Sequence, residues 1–184
     1  MLFWLSCLII FLVGLRMNDD VLSTGAGIYL RPLRKSDTFL LQPLLEENES
    51  ATYFTERTYN NFYDTKSLIE YLCDVGEYFL VERERDGQII GIAGTRENKE
   101  NPGVRKIAYM LGSRFRGRGI MPEVIETLTE YVLSKDGVEA IEAAIRPDNV
   151  RSLRCIEKAG YEFEKMQNSD RKLIYVRRKN EEKN

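Results

Sequence analysis

The stretch Tyr109 to Leu133, YMLGSRFRGRGIMPEVIETLTEYVL, constrains this chain more than any other, because it runs a strand end, a glycine-hinged loop and an amphipathic helix together without a break. Met121, Val124, Ile125, Leu128 and Val132 recur at helical spacing and so fall on one face. Ahead of them, RFRGRG fits the pattern (Q/R)xxGx(G/A), carried by Arg114, Gly117 and Gly119. A loop of successive backbone N–H groups that runs into a helix start offers unpaired donors, and the positive end of the helix dipole, to an anion. Glycine lets the main chain come close to such an anion. Each charge-assisted hydrogen bond contributes roughly 1.5–3 kcal/mol, so three or four would hold a pyrophosphate. Arg114, Arg116 and Arg118 add positive charge around it.

Two familiar phosphate loops do not fit. A Walker loop requires GxxxxGK(S/T), and no Lys-Ser or Lys-Thr follows these glycines. The dinucleotide fingerprint needs a third glycine or alanine three residues after the second, where Pro122 stands.

A second stretch narrows the reading. RPDNVRSLRCIEKAGYEF places Asn149 and Ser152 ahead of Glu157, Lys158, Gly160 and Tyr161, the pattern NxxSxxxxEKxGY, closing a short helix and opening a strand. With the first motif at this separation, the chain resembles the GNAT N-acetyltransferases, most closely their RimJ/RimL branch. The strand KIAYML, Lys106 to Leu111, is also similar to that branch's IGYxL. The resemblance spans Ile28 to Arg178.

That resemblance implies acetyl-coenzyme A as donor and an amine as acceptor, with no metal, and direct transfer that needs no enzyme nucleophile. It implies that the strand before the loop and the strand before Asn149 splay apart, with the thioester between them. Backbone groups of Met110, Leu111 and Gly112 would pair with the pantetheine arm, and one N–H would polarise the thioester carbonyl. The loop amides of Arg116, Gly117, Arg118, Gly119, Ile120 and Met121 would hold the pyrophosphate; Pro122 has no N–H to give. Asn149 would bond the pantetheine or cap its helix. Glu142, in the IEAAI strand facing the gap, is the candidate base, acting directly or through water, and Glu139 has the opposite strand parity. Much of the superfamily protonates the leaving thiolate from a tyrosine just before the Glu-Lys pair. Ile156 stands there, which leaves Ser152 as the candidate acid.

The chain contains no histidine, which removes Ser-His and Cys-His pairs, the usual general base and the commonest catalytic metal ligand. Its three cysteines, Cys7, Cys73 and Cys155, lie far apart without CxxC spacing, which argues against a disulfide framework or zinc site and fits a reducing, cytoplasmic setting. A net charge of −2 argues against a nucleic-acid binder with a broad basic surface. At 184 residues and 43% apolar content the chain suits one domain, 17–184.

Leu2 to Leu15 is a nearly unbroken apolar run closed by Arg16. It is shorter than the roughly 20 residues of a spanning helix and lacks the basic start of a secretory signal. The expectation is that residues 1–16 lie outside the fold, with Met17 as the native start; a membrane-associating segment and a cleaved signal stay as alternatives. Further on, Ile28 to Leu33 reads as a strand, and Ser36 or Asp37 as the N-cap of a helix to about Glu47 that Pro43 weakens. Asn48 to Asp64 is rich in aromatics: Tyr53, Phe54, Tyr59, Phe62 and Tyr63. In the resembled family this region covers the acceptor end, so these aromatics and Glu46, Glu47 and Glu49 are candidates there, although core packing and a solvated acidic face also explain them. Thr65 to Cys73 reads as a short helix. Glu77 to Arg83 and Gln88 to Thr95 read as strands joined through Asp86-Gly87, Val104 to Leu111 and Val138 to Ile145 as two more, and Tyr161 to Lys165 with Leu173 to Arg177 as a closing hairpin around Asn168-Ser169-Asp170.

The sum is an α/β fold with a mixed, largely antiparallel sheet, helices on both faces and, from the resemblance, splayed central strands. The function expected is N-acetyl transfer to an amine, foremost a protein N-terminal α-amine. A polyamine, aminoglycoside-like or amino-acid acceptor, and a non-catalytic acetyl-CoA-binding module, stay as alternatives. Neither nucleic acid nor a membrane is expected as partner, and a homodimer is compatible with the reading.

Overall fold

The computed structural model describes residues 21–25, 27–46, 53–54, 61–167, 169 and 171–179. The apolar run 2–15, Glu47, Glu49, Tyr59, Asn168, Asp170 and the last residues of the tail fall outside the described residues. The described strands are β1 (Leu22–Ser23), β2 (Ile28–Pro32), β3 (Gly76–Arg83), β4 (Gln88–Glu97), β5 (Val104–Leu111), β6 (Ala140–Ile145), β7 (Glu162–Gln167) and β8 (Lys172–Arg178). The helices are α1 (Thr38–Glu46), α2 (Phe62–Val75), α3 (Ile120–Leu133) and α4 (Val150–Lys158).

The strands form one sheet in the order β1-β2-β3-β4-β5-β6-β8-β7. Every neighbouring pair is antiparallel except β5 and β6, which run parallel because α3 carries the chain across between them. Their pairing covers only Val104↔Ala140, Arg105↔Ile141 and Lys106↔Glu142. Past those positions β5 continues to Leu111 and β6 to Ile145 without pairing, so the sheet opens at its centre as expected.

Each face carries its own core. On one, Met121, Val124, Ile125, Leu128 and Val132 of α3 are all buried against Ile107, Leu111, Ile141 and Ile145, the stripe their spacing predicts. Ile156 of α4 is fully buried in the same cluster, and Tyr161 joins it with its hydroxyl 2.7 Å from Thr129 Oγ1. On the other face, Leu41 and Leu45 of α1 and Leu68, Ile69 and Leu72 of α2 cover Tyr78, Leu80, Ile92 and Met110. Burial of each such side chain contributes about 1.5–3 kcal/mol, and together these contacts fix β5 from both sides.

Local chemistry explains where elements depart from the expected bounds. α2 starts three residues before Thr65 because the Asn61 side chain accepts the Asp64 amide at 3.0 Å and caps it. Ahead of α1 the chain makes a 3-10 turn, Lys35–Asp37. Asp37 is not an N-cap there; its carboxylate reaches back to the Arg34 amide at 2.8 Å and takes two bonds from Arg31. Pro43 stays inside α1, and the i−4 residue whose carbonyl loses a helical donor is Phe39, which is exposed. The Asp86-Gly87 hairpin forms with Gly87 at φ +67, and Arg83 closes it through two bonds to Asp86.

Thr65 Oγ1 is buried without a hydrogen-bond partner in the first turns of α2. Thr65→Val removes an unsatisfied hydroxyl at nearly constant shape and is expected to raise stability by about 1 kcal/mol, read as a higher midpoint in thermal or urea unfolding.

Candidate active site

The chain leaves β5 at Leu111, makes a 3-10 turn over Ser113–Phe115 and enters α3 through residues 116–119. Gly117 and Gly119 have φ of +73° and +80°, a left-handed backbone that a branched residue resists. A side chain at either would meet nothing within 4 Å, so handedness rather than space demands glycine. Gly119 is the N-cap of α3 and makes no side-chain cap bond. Among the described residues, no protein group accepts a hydrogen bond from the amides of Gly117, Arg118, Gly119, Ile120 or Met121. Five amides without protein acceptors thus follow one another into a helix start, the kind of segment that can bind a phosphate.

The arginines divide differently from the sequence expectation. The Arg116 amide leans back to the Ser113 carbonyl at 3.5 Å, and its Nε donates to the Leu111 carbonyl at 3.1 Å, so this residue braces the loop against β5. Arg114 and Arg118 are exposed and outside the lining of the main cleft. Arg114 faces a shallow groove beside Phe39, Leu40 and Leu44.

The loop opens onto a cleft of about 1760 Å³ that passes through the gap between β5 and β6 and ends against α2. Antiparallel pairing decides which β5 main-chain groups face that gap. Gly112 donates its amide to Ile90 at 2.8 Å, so Gly112 and, by alternation, Met110 turn their N–H groups to β4, while Tyr109 and Leu111 turn theirs to the gap. Of Met110, Leu111 and Gly112, only Leu111 has the direction expected of a pantetheine partner; Tyr109 is the second such position.

Across the gap, Asn149 Oδ1 caps α4 by accepting the Ser152 amide at 3.2 Å. Ser152 Oγ lies 2.6 Å from the Tyr109 hydroxyl, which also reaches the Ser152 carbonyl at 3.2 Å. Burial pushes the Tyr109 phenol well above its ordinary value, and the Ser152 bond offsets only part of that, so the group stays neutral. Tyr109, the tyrosine that KIAYML shares with IGYxL, is the cleft residue to which the sequence reading gave no role. Its strand parity, odd like Leu111, was the available signal. Cys155 is half-buried, and burial raises its thiol, opposed by Lys158, so it does not offer a thiolate.

On the opposite face, Glu142 sits at the last paired position of β6 with Lys106 Nζ 4.0 Å away. Lys106 lines the cleft, and Glu142 stands behind it. Glu139 lies outside β6. Of the candidate acceptor aromatics, Tyr53 and Phe54 line the cleft, joined by Tyr71 and Tyr78, whose phenol burial pushes up to about 12. Phe62 instead stacks on Phe39 at 4.7 Å, Tyr63 is exposed, and Glu46 bonds Gln42 at 2.6 Å away from the cleft wall.

Residues 28–162 match the acetyltransferase (GNAT) domain. The probable N-acetyltransferase YjcK of Bacillus subtilis (strain 168) is 27% identical over 150 residues, which cover 76% of this chain and 83% of that protein. Among solved structures, the aminoglycoside acetyltransferase AAC(6')-Ib in complex with coenzyme A superposes with a TM-score of 0.71 at 22% identity, covering 82% of this chain and 94% of the other. The Salmonella typhimurium acetyltransferase that modifies the N-terminal serine of ribosomal protein L7/L12 gives 0.73 at 16% identity, covering 88% and 100%. With a cleft that passes through a parted sheet to a helix start whose amides lack protein acceptors, and a family match over residues 28–162, this chain is a member of the GNAT acetyltransferases.

Proposed function

We propose that the protein transfers the acetyl group of acetyl-CoA directly to an amine, foremost the α-amine of a protein or peptide. The observation that carries the proposal is the set of amides at Gly117, Arg118, Gly119, Ile120 and Met121, without protein acceptors, at the mouth of a cleft that divides the sheet. These donors suit a pyrophosphate in number, and the main-chain groups that β5 turns to the gap at Tyr109 suit an extended pantetheine arm, while the Leu111 carbonyl is taken by Arg116 Nε. Acetyl-CoA supplies the activated acyl group; the chain's own groups orient it and move protons. Ser152, held by Tyr109 and by the start of α4, is placed to donate toward the leaving sulfur. Glu142 is the proposed base, reaching the acceptor through water because Lys106 stands between it and the cleft.

A base at that remove favours an amine that needs little help. An α-amine near 7.7–8 is partly neutral at pH 7, whereas a lysine amine near 10.4 is almost wholly protonated. The structural neighbour that modifies an N-terminal serine supports this acceptor class. A small-molecule amine is the second reading, favoured by the likeness to AAC(6')-Ib and by 34% identity over 70 residues, 38% of this chain, to an aminoglycoside N(6')-acetyltransferase of Klebsiella pneumoniae. The cytoplasm, where acetyl-CoA meets reduced thiols, is the compartment proposed.

Thiol release from acetyl-CoA across peptides with free α-amines, polyamines and aminoglycosides tests the proposal; binding without turnover on every amine would favour a sensor module instead. Gly119→Val forces a β-branched residue into a left-handed backbone and misaligns the donors, so acetyl-CoA affinity is expected to fall by about tenfold or more. Unchanged affinity, measured by calorimetry, would remove the loop from the cofactor site.

Glu142→Gln is expected to lower kcat by about a hundredfold with little change in acetyl-CoA affinity. A variant whose rate matches the parent from pH 6 to 9 clears Glu142 of the base role.

Ser152→Ala is expected to lower kcat by about tenfold or more, and Tyr109→Phe by less. Because burial raises the Tyr109 phenol, its neutral form persists to higher pH than a free tyrosine's. Any inflection of the pH–rate profile between 6 and 9 should therefore keep its position in Tyr109→Phe; a shifted inflection would make Tyr109 a titrating group.

A further inference from the structure

The acceptor half of the cleft carries a charge arrangement that its own fold does not explain. Arg96 on β4 and Lys106 on β5 stand directly opposite each other in the antiparallel register and share the face covered by α1 and α2. Like charges so placed destabilise a sheet. Both residues line the cleft, and among the described residues no carboxylate pairs with Arg96. Lys106 has only Glu142, at 4.0 Å, the outer limit of an ion pair. Of the carboxylates on this part of the wall, Asp148 holds Arg146 at 2.9 Å, and Asp64, at the start of α2, takes a bond from the Asn61 side-chain amide at 2.8 Å and keeps its charge.

Small residues hollow the sheet beside the pair. Gly94 and Ala108 face each other across β4 and β5, and Ala144 lies exposed on β6 across the gap. The Tyr78 ring covers Gly94 so closely that a Cβ there would sit 2.3 Å from it. The result is a recess lined by Ala108, Ala144 and the Tyr78 ring lying over Gly94, and flanked by two cations. It begins where β5 and β6 part, and Lys106 precedes Tyr109 by three positions, about 10 Å of strand.

We infer that Arg96 and Lys106 receive a carboxylate of the acceptor, so that the substrate is an amine carrying a carboxylate and not a polycation. Arginine binds carboxylates through two parallel bonds, and a lysine beside it adds a point charge. An amino acid, or a peptide with an acidic residue next to its free α-amine, supplies both groups at this spacing. A polyamine or aminoglycoside would bring further positive charge against the pair. The inference rests on the acetyltransferase reading and names the acceptor of that same site.

The test is acetyl-CoA thiol release by the full chain with matched acceptors: L-serine against L-serinamide, the peptide amide Ser-Asp-Ala against Ser-Asn-Ala, and spermidine and kanamycin as polycations. The carboxylate member of at least one pair should show kcat/KM about tenfold or more above its neutral partner, and the pair that responds tells a free amino acid from a peptide terminus. Arg96→Gln and Lys106→Met should each erase that preference through KM for the acceptor, leaving KM for acetyl-CoA unchanged. Equal kcat/KM within both pairs, or a preference for spermidine or kanamycin, would overturn the inference and leave the transferase reading intact. No turnover of any amine by protein that still binds acetyl-CoA would overturn both.

Discussion

After Lys106 and Glu142, β5 and β6 stop pairing, and the rest of the structure is arranged around that loss of main-chain hydrogen bonds. An unpaired backbone edge inside a sheet is costly unless water or a ligand satisfies it. The fold bears that cost because β5 is held elsewhere: β4 pairs with it from Gly91 to Glu97, and both cores press on it, through Ile107 and Leu111 on one face and Met110 on the other. What remains is a β5 edge braced from both faces and turned toward a cleft.

Two further contacts brace the opening. Tyr109 spans from β5 to Ser152 at the start of α4, and Arg116 ties the loop back to the end of β5. Each joins a cleft-facing group to an element anchored in a core, so the loop amides and the Ser152 hydroxyl keep their positions relative to the main-chain edge. The two faces of the sheet then divide the work. The face of α3 and α4 holds the glycine loop and the start of α3, and the face of α1 and α2 carries the recess with Arg96, Lys106 and Tyr78. The cleft thus joins the two faces where the strands separate.

Much of this was legible one residue after another. The α3 stripe, the two glycines and the Asp86-Gly87 hairpin are local signals, and each appears in the structure where its spacing puts it. Asn149 at the head of α4 is equally local. The misreadings came from contacts distant in the chain. Arg114 and Arg118 are in the motif, and both lie exposed outside the cleft lining. Gly112 gives its amide to Ile90, a partner more than twenty residues away in sequence. Asp37 caps backward and pairs with Arg31 because both are drawn into one buried corner.

The elements, the glycine-hinged loop before α3 and the family were readable from the chain alone, because capping, helical periodicity and positive-φ glycines depend on neighbours in the chain. Only the tertiary structure decided which groups share the cleft. Tyr109 meets Ser152, Lys106 stands in front of Glu142, and Arg96 faces Lys106 through strand register and the point where pairing ends. Register is a relation between segments far apart in the chain, and a one-residue change in it would turn every one of these side chains to the other face.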